Sequence, residues 1–185
     1  MNSDGVSRLS GPSSGYTLPV WLAAAAPAAG GVLRGESFQS QRDLELLEPP
    51  GLAAIPVRAA ASLVEGWALG ESICDPGDRL DLTRGLVVWV LARWESARAG
   101  AGDPWLALEA GQGVGVHAGT GEACLSAYAR RLLEANLRSL LPADQRLRLR
   151  VVLPAGRRLA ERTSNAAFGV VEGLALIGTC AEVQA

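Results

Sequence analysis

The chain has 185 residues, of which 49% are hydrophobic and 19% are charged, and its formal net charge is -2. This length and composition fit one domain with a sizeable core, and they exclude a disordered polyelectrolyte, a coiled coil and a collagen-like fibre. Because 17 basic residues nearly balance 19 acidic ones, there is no overall basic field. We therefore expect neither a nucleic-acid partner nor a membrane partner.

The residue types that commonly bind metals or act as nucleophiles are scarce. Every basic residue is arginine, which excludes a lysine nucleophile, and His117 is the single histidine. The three cysteines, Cys74, Cys124 and Cys180, are dispersed and form no C-x-x-C pair. This pattern favours free thiols in a reducing cytosol over disulfides or a zinc site, so we expect no protein-bound metal.

The first half of the chain predicts a helix followed by short strands. Residues 1–14 are rich in serine and glycine and are predicted to be a disordered tail. The alanine-rich run at 18–33 predicts a buried helix that ends at Gly30 and Gly31, since no positively charged segment precedes it as in a signal peptide. Strands are predicted at 43–48, 55–57, 86–92 and 105–108.

The second half combines one clear helix with an arginine-bearing strand. Apolar residues at spacings of three and four predict an amphipathic helix at about 122–141, with Glu134 and Arg138 as an i,i+4 pair. The run at 146–153, which at first alternates strictly, predicts a strand with Arg146, Arg148 and Arg150 on one face. We therefore expect an α+β fold, in which a mixed sheet is backed by these two helices.

A glycine-rich run follows the fourth predicted strand and has two interpretations. Glu109, Gly111, Gly113 and Gly115 spell E-x-G-x-G-x-G, which is similar to the loop that holds S-adenosylmethionine in class I methyltransferases. Glycines of this kind let backbone amides approach a ligand without a side chain in the way. The alternative is a glycine turn that serves only the fold.

Three other clusters leave similar alternatives open. Asp75, Asp78 and Asp81 suit a metal or acid-base site, or else local backbone caps. His117 suits a proton carrier, or else a loop histidine bonded to a backbone carbonyl. The arginines at 130/131, 146/148/150 and 157/158 suit a polycarboxylate ligand, or else a solvated face in a protein without lysine.

Four segments together resemble one family, the CbiD cobalt-precorrin-5B C1-methyltransferases, particularly its cyanobacterial members. Residues 15–26 resemble its G-[FY]-T opening and alanine run, and residues 75–85 its D-x-G-D-x-x-D-x-T-x-G turn. Residues 111–115 are similar to its G-G-E-G-V-G, and residues 154–179 resemble its P-x-G…T-x-N…G-T stretch in order and spacing.

The resemblance implies methylation of cobalt-precorrin-5B at C1 by S-adenosylmethionine, giving cobalt-precorrin-6A in cytoplasmic, anaerobic-type cobalamin biosynthesis. It also implies that residues 15–185 are an N-terminal domain and that the second α/β domain of the family is absent. The partners would be a corrinoid with carboxylate arms and either the missing domain or a second copy of the chain. The alternatives are a non-catalytic corrinoid-binding or assembly fragment and a methyltransferase of another substrate class.

No catalytic residue is assigned, but the resemblance suggests binding residues. We expect Asp78 and Thr83 to hold the 75–85 loop through backbone amides. Arg157 and Arg158 are expected to face substrate carboxylates, and Val170, Val171, Leu174 and Ile177 to be poorly covered if the last segment is a site or seam. The candidate binding residues are Asp75, Asp78, Thr83, Gly111, Gly113, Gly115, His117, Arg157, Arg158, Thr163, Asn165, Gly178 and Thr179.

Overall fold

The alanine-rich run forms helix α1 (Leu18–Leu33), with Pro19 in its first turn. The computed structural model describes residues 15–78, 80–97, 102 and 104–183, so the predicted 1–14 tail lies outside the described residues. Every residue of α1 from Leu18 to Gly31 is buried, as predicted. The helix continues past the predicted end because Gly35, at φ +78°, provides the left-handed residue that terminates it.

The described residues form eleven strands, several of them only two residues long. They are β1 (Gln41–Leu47), β2 (Pro50–Pro56), β3 (Ala59–Ser62), β4 (Ala68–Ile73), β5 (Val87–Ser96), β6 (Leu106–Ala110), β7 (Gly113–Val114), β8 (Val116–His117), β9 (Gln145–Val152), β10 (Val170–Val171) and β11 (Gly173–Leu174). Of these strands, β1 to β5 contact the helix.

The main sheet has five strands in the order β3-β4-β5-β9-β6. Neighbouring strands are antiparallel except β6 and β9, which run parallel, so the sheet is mixed and the predicted α+β class is confirmed. A separate antiparallel hairpin, β1-β2, packs against α1 away from the sheet. The helix is therefore enclosed by sheet, hairpin and the second helix.

Helix α1 lies very close to strand β4. A Cβ atom built on Gly70 would fall 2.0 Å from the carbonyl oxygen of Ala25, so only glycine fits there. The buried Ser72 hydroxyl donates to the carbonyl of Trp21 at 2.7 Å and ties the same two elements together. Small residues on both elements thus allow backbone-to-backbone packing in the core.

The second helix, α2 (Ala127–Leu137), is shorter than the predicted 122–141 helix and ends in a 3-10 turn (Arg138–Leu140). Residues 122–126 are not helical because Ala123 bridges to Val116 and Leu125 to Leu176. The helix begins instead at Ser126, whose hydroxyl accepts the amide of Ala129 at 3.1 Å.

The charged pair predicted on α2 is also different. Glu134 faces Arg130 at 4.0 Å rather than Arg138. The guanidinium of Arg138 lies instead over the ring of Trp105, 4.9 Å from its centre. Arg138 therefore makes a cation-π contact in place of the expected salt bridge with Glu134.

The last part of the chain is assembled from short elements that return to the first residues. After the short helix α3 (Gly156–Ala160), β10 pairs with β8 and β11 with β7. The chain then runs to the start of α1, where Tyr16 bridges to Glu182 and the amide of Thr17 donates to Ala181. No helix in the described part of the chain is long and apolar enough to cross a membrane.

Candidate functional site

A cleft of about 1000 Å³ opens beside the end of β6, and we call it the arginine cleft. It is formed where the glycine run, the loop before α2, strand β9 and helix α3 meet. Its ionisable lining residues are Glu109, His117, Glu122, Arg130, Arg150, Arg157 and Glu172. Of the predicted residues it brings together Gly111, Gly113, His117 and Arg157, whereas Arg158 is exposed on α3 and does not line it.

The arginines of the cleft differ in how fully they are engaged. Arg150 donates from Nε and Nη2 to one oxygen of Glu109, at 3.2 and 3.1 Å, and Arg148 contacts the other oxygen at 2.5 Å. In contrast, Arg157 donates to the backbone carbonyl of Glu172 at 3.2 Å. Glu109 is thus held by two guanidinium groups, while Arg157 can still meet an external carboxylate.

The glycines of the run are required by the packing of the fold. A Cβ atom on Gly111 would lie 2.5 Å from the carbonyl oxygen of Val151, and one on Gly113 would lie 2.0 Å from that of Leu153. At Gly115 it would lie 2.9 Å from the carbonyl oxygen of Gly173. The interpretation as a structural glycine turn is therefore favoured, although Gly111 and Gly113 also line the cleft.

His117 is exposed at the cleft, where its backbone holds the loop before α2. Its amide donates to the carbonyl of Glu122 at 2.9 Å, and its carbonyl accepts the amide of Gly121 at 2.8 Å. These bonds present the imidazole on β8 toward the cleft that also contains Arg157. The position suits a donor to a ligand oxygen.

The arginines of β9 share one face of the sheet, as the alternation predicted. Arg146 and Arg148 both donate to Glu95 of β5, which also accepts from Arg93. Burial alone would raise the pKa of Glu95, but the hydrogen bonds from Arg93 and Arg146 and the nearby positive charges outweigh it and lower that pKa. Arg146 and Arg148 thus belong to an internal ion-pair network, and Arg150 alone of the three reaches the cleft.

A second concavity of about 660 Å³ lies at the start of α1, and we call it the threonine groove. Segments far apart in the chain meet there: residues 17–18, 81–83, 162–168 and 174–183. It contains the predicted residues Thr83, Thr163, Asn165, Gly178 and Thr179. Three of the four segments that resemble the family therefore contribute to one surface.

The loop at 75–85 is held by Asp75, Asp81 and Thr83, of which Thr83 was predicted to hold it and the two carboxylates were predicted as possible backbone caps. Asp81 accepts the amide of Thr83 at 2.7 Å and its hydroxyl at 2.6 Å, and Asp75 accepts the amide of Gly77 at 2.9 Å. Asp78 is exposed and accepts none of these bonds, so they do not support the expectation that it holds the loop. The interpretation of these carboxylates as local backbone caps is correct for Asp75 and Asp81.

The floor of the threonine groove is rigidly tied to the rest of the fold. The Ser126 hydroxyl donates to the carbonyl of Gly178, and the Thr17 hydroxyl to that of Cys180, both at 2.8 Å. Above this floor Leu82, Phe168 and Ile177 are exposed by 39%, 80% and 58%. The groove therefore combines a fixed backbone with uncovered apolar side chains.

The expectation of poor coverage in the last segment holds for only some of its apolar residues. Val171 is 41% exposed and Ile177 is uncovered, whereas Val170 and Leu174 are buried. The buried pair lies on β10 and β11, whose strand pairing with β8 and β7 turns these side chains inward.

A third depression of about 330 Å³ lies between the cleft and the groove. It shares Arg157 and Glu172 with the arginine cleft, and it shares Asn165 with the threonine groove. The two concavities therefore flank the same stretch of chain, residues 156–173.

The described residues give little support for a reactive thiol or a metal site. Burial, together with the charge of Asp81, raises the pKa of the Cys74 thiol, and burial also raises that of Cys124. These thiols therefore stay protonated at neutral pH. Within residues 15–78, 80–97, 102 and 104–183, no three His, Cys, Asp or Glu side chains are grouped so as to hold a metal ion.

Sequence reasoning missed several residues of both concavities. Glu172 in the cleft, and Leu82 and Phe168 in the groove, were not predicted, whereas Arg130 and Arg150 belong to the arginine clusters for which a polycarboxylate ligand was one of two interpretations. The alternation of β9 was a usable signal for Arg150, because it placed that residue on the outer face. The apolar residues within polar, glycine-punctuated loops were a weaker signal for the groove.

Curated proteins of about twice this length are similar to the chain. It is 54% identical over 174 residues to the cobalt-precorrin-5B C(1)-methyltransferase of Synechococcus sp. strain CC9605, and 53% identical over 176 residues to that of Prochlorococcus marinus strain MIT 9303. The alignments cover 94% and 91% of this chain but only 46% of each relative. The chain thus spans about half the length of the relatives it matches.

The fold and the sequence point to the same family. The crystal structure of a cobalamin biosynthesis protein (cbiD) from Archaeoglobus fulgidus has a TM-score of 0.64 and 21% identity, covering 92% of this chain and 54% of that one. The CbiD family model matches residues 7–185, which is nearly the whole sequence. The chain belongs to the CbiD family.

Proposed function

We propose that this chain is part of an S-adenosylmethionine-dependent methyltransferase that methylates cobalt-precorrin-5B at C1 to give cobalt-precorrin-6A. The relatives at 54% and 53% identity carry the name of that activity. Because the alignments cover 46% of those relatives, we also propose that residues 15–185 form the N-terminal domain and that a second domain completes the enzyme. The reaction would belong to cobalamin biosynthesis in the cytoplasm.

The observation that carries the proposal is the arginine cleft. Its volume of about 1000 Å³ lies at the upper end of small-molecule sites and suits a macrocycle. Arg157 donates to a backbone carbonyl, and Arg130 reaches Glu134 only at 4.0 Å, so both guanidinium groups can meet carboxylates of a ligand. A corrin precursor with acetate and propionate arms offers such carboxylates.

Methyl transfer from a sulfonium to a nucleophilic carbon does not depend on a strong general base. S-adenosylmethionine, when bound, supplies an electrophilic methyl group to a nucleophilic ring carbon, and the cobalt belongs to the substrate. The residues of this chain would bind and orient the macrocycle, since in-line approach and exclusion of water dominate such a displacement. Glu109, held by Arg148 and Arg150, supports the cleft wall rather than removing a proton.

Calorimetric titration with cobyrinic acid, a corrinoid polycarboxylate, tests the cleft. Arg157→Gln should weaken binding about tenfold at low salt and less at high salt, because a charge-assisted contact is lost and the remaining attraction is screened. Arg158→Gln is the matched control, since this exposed neighbour does not line the cleft. Equal losses in the two variants would contradict the assignment.

Methyl transfer is tested separately with labelled S-adenosylmethionine and cobalt-precorrin-5B. Label in the corrinoid, produced by the chain alone or on addition of the remaining part of a relative, supports the enzyme. Binding of the corrinoid without any transfer in either arrangement would instead support a non-catalytic corrinoid-binding or assembly fragment.

A further inference from the structure

We infer that the threonine groove holds S-adenosylmethionine through its adenosyl part, so that methyl donor and macrocycle lie on opposite sides of residues 156–173. This inference rests on the proposed function and deepens it, because it assigns the second concavity to a ligand class. Three properties of the groove lead to it: uncovered apolar side chains, polar groups with remaining hydrogen-bond capacity, and an acidic balance of charge.

The apolar side chains suit a flat aromatic ring. Phe168 is 80% exposed on a 3-10 turn that closes at Gly169, whose φ of +72° requires glycine. Leu82 and Ile177 add aliphatic surface from two other segments. Stacking of a purine base on an aromatic side chain is a common source of affinity in nucleotide sites.

The polar groups suit the edges of adenosine. The Nδ2 atom of Asn165 is buried and has no hydrogen-bond partner in the described part of the chain. Adenine ring nitrogens are acceptors and could satisfy it, since a buried donor without a partner is costly. The Thr83 hydroxyl donates to Asp81 and keeps its own acceptor capacity for a ribose hydroxyl.

The two concavities differ in their balance of charge, and this difference favours a different ligand in each. Two carboxylates, Asp81 and Glu182, line the groove against one guanidinium, Arg162. S-adenosylmethionine carries a sulfonium and an ammonium group against one carboxylate, so its net charge complements this surface. The arginine cleft balances Arg130, Arg150 and Arg157 against three carboxylates, so it lacks the acidic excess of the groove and is the better surface for a polycarboxylate.

The placement also suits a displacement between two bound ligands. The depression that shares Arg157 with the cleft and Asn165 with the groove provides a path along residues 156–173. A donor anchored by its adenosyl part in the groove could extend its sulfonium end toward this path. Transfer then requires the macrocycle carbon to approach from the cleft side and form the new C–C bond as the S–CH3 bond breaks in line with it, which leaves the bonding electron pair on the sulfur of S-adenosylhomocysteine.

Calorimetric titration of the 185-residue chain with S-adenosylmethionine tests the assignment. Phe168→Ala should weaken binding about tenfold, because base stacking is lost at an exposed position whose truncation leaves the core intact. Leu52→Ala, equally exposed at 82% on the β2 side of the hairpin, should bind like the unchanged chain. Glu182→Gln should weaken S-adenosylmethionine about threefold, and should weaken S-adenosylhomocysteine less, because that analogue keeps the ammonium group but has an uncharged sulfur.

The outcomes distinguish this inference from the proposed function. Cobyrinic acid binding that depends on Arg157, together with absent or Phe168-independent S-adenosylmethionine binding, would overturn the inference and leave the cleft assignment standing. Self-association of the chain that Phe168→Ala abolishes, without any ligand binding, would overturn it in favour of a protein-docking surface. Binding of S-adenosylmethionine lost in Phe168→Ala and kept in Leu52→Ala and Arg158→Gln supports it.

Discussion

The two faces of the five-stranded sheet are formed by alternate residues of the same strands, yet different forces hold them. The inner face carries buried Val88, Val90 and Leu149 and meets α1 at Gly70. The outer face carries ion pairs centred on Glu95 and Glu109. Close packing therefore stabilises the inner face, whereas ion pairs stabilise the outer face. The contribution of the outer face to stability is therefore sensitive to pH and salt.

Truncation on the inner face should have the largest effect. Leu149 is fully buried on β9, and Leu149→Ala should lower the free energy of unfolding by about 2–5 kcal/mol, since a cavity remains after the methyl groups are removed. Urea unfolding measures it, with Leu52→Ala as the exposed control. Similar losses in the two variants would contradict the packing described for this face.

Enlargement at the closest contact should have the next largest effect. Gly70→Ala places a methyl group where the carbonyl oxygen of Ala25 lies only 2.0 Å away, so α1 or β4 must shift, at a cost of about 1–3 kcal/mol. Gly119→Ala is the control, because nothing lies within 4 Å of its added Cβ. If thermal unfolding shows the two variants to be equally stable, the helix does not touch the sheet here.

Removal of a charge from the outer face should have the smallest effect. Glu95→Gln should cost about 1 kcal/mol or less at neutral pH, because its partners are partly solvated arginines. The pKa of Glu95 is lower in the folded chain than in the unfolded one. Its contribution is therefore complete above the unfolded pKa and disappears as the pH falls through the folded value.

The difference between the unchanged chain and Glu95→Gln isolates this contribution from that of other carboxylates. Urea unfolding measured from neutral pH down into the acidic range should show the two stabilities converging. A constant difference over that range would mean that the guanidinium groups do not favour the charged form of Glu95.

Elements with a strong local pattern were predictable from the sequence. The apolar run of α1, the continuous apolar strand β5 and the alternating strand β9 all lie close to where these patterns placed them. The short strands β7, β8, β10 and β11 were not predicted, because two residues have no period and exist only through pairing with distant partners. Residues 122–126, which were predicted to be helical, likewise form β-bridges at Ala123 and Leu125 instead of joining the helix.

The candidate site was predictable only in part, for a related reason. Motif resemblance identified Thr83, Thr163 and Thr179 separately, but their meeting in one groove follows from contacts between remote segments. The neighbours Arg157 and Arg158 could not be distinguished from the sequence, since the orientation of a five-residue helix decides which of them lines the cleft. Likewise, spacing alone could not show that Asp81, and not Asp78, caps the loop.

The pairing of Tyr16 with Glu182 has a consequence for the order of folding. The hydrogen bond from Thr17 to Cys180 spans 163 residues, so the groove closes only when one of the longest loops in the chain has closed. Such non-local contacts form slowly and follow local ones such as the β1-β2 hairpin. In native-state hydrogen exchange, the amides of Thr17, Ala181 and Val183 should therefore exchange through openings of lower free energy than the amides of β5 and β9. A ligand in the groove should selectively slow the exchange of these three amides.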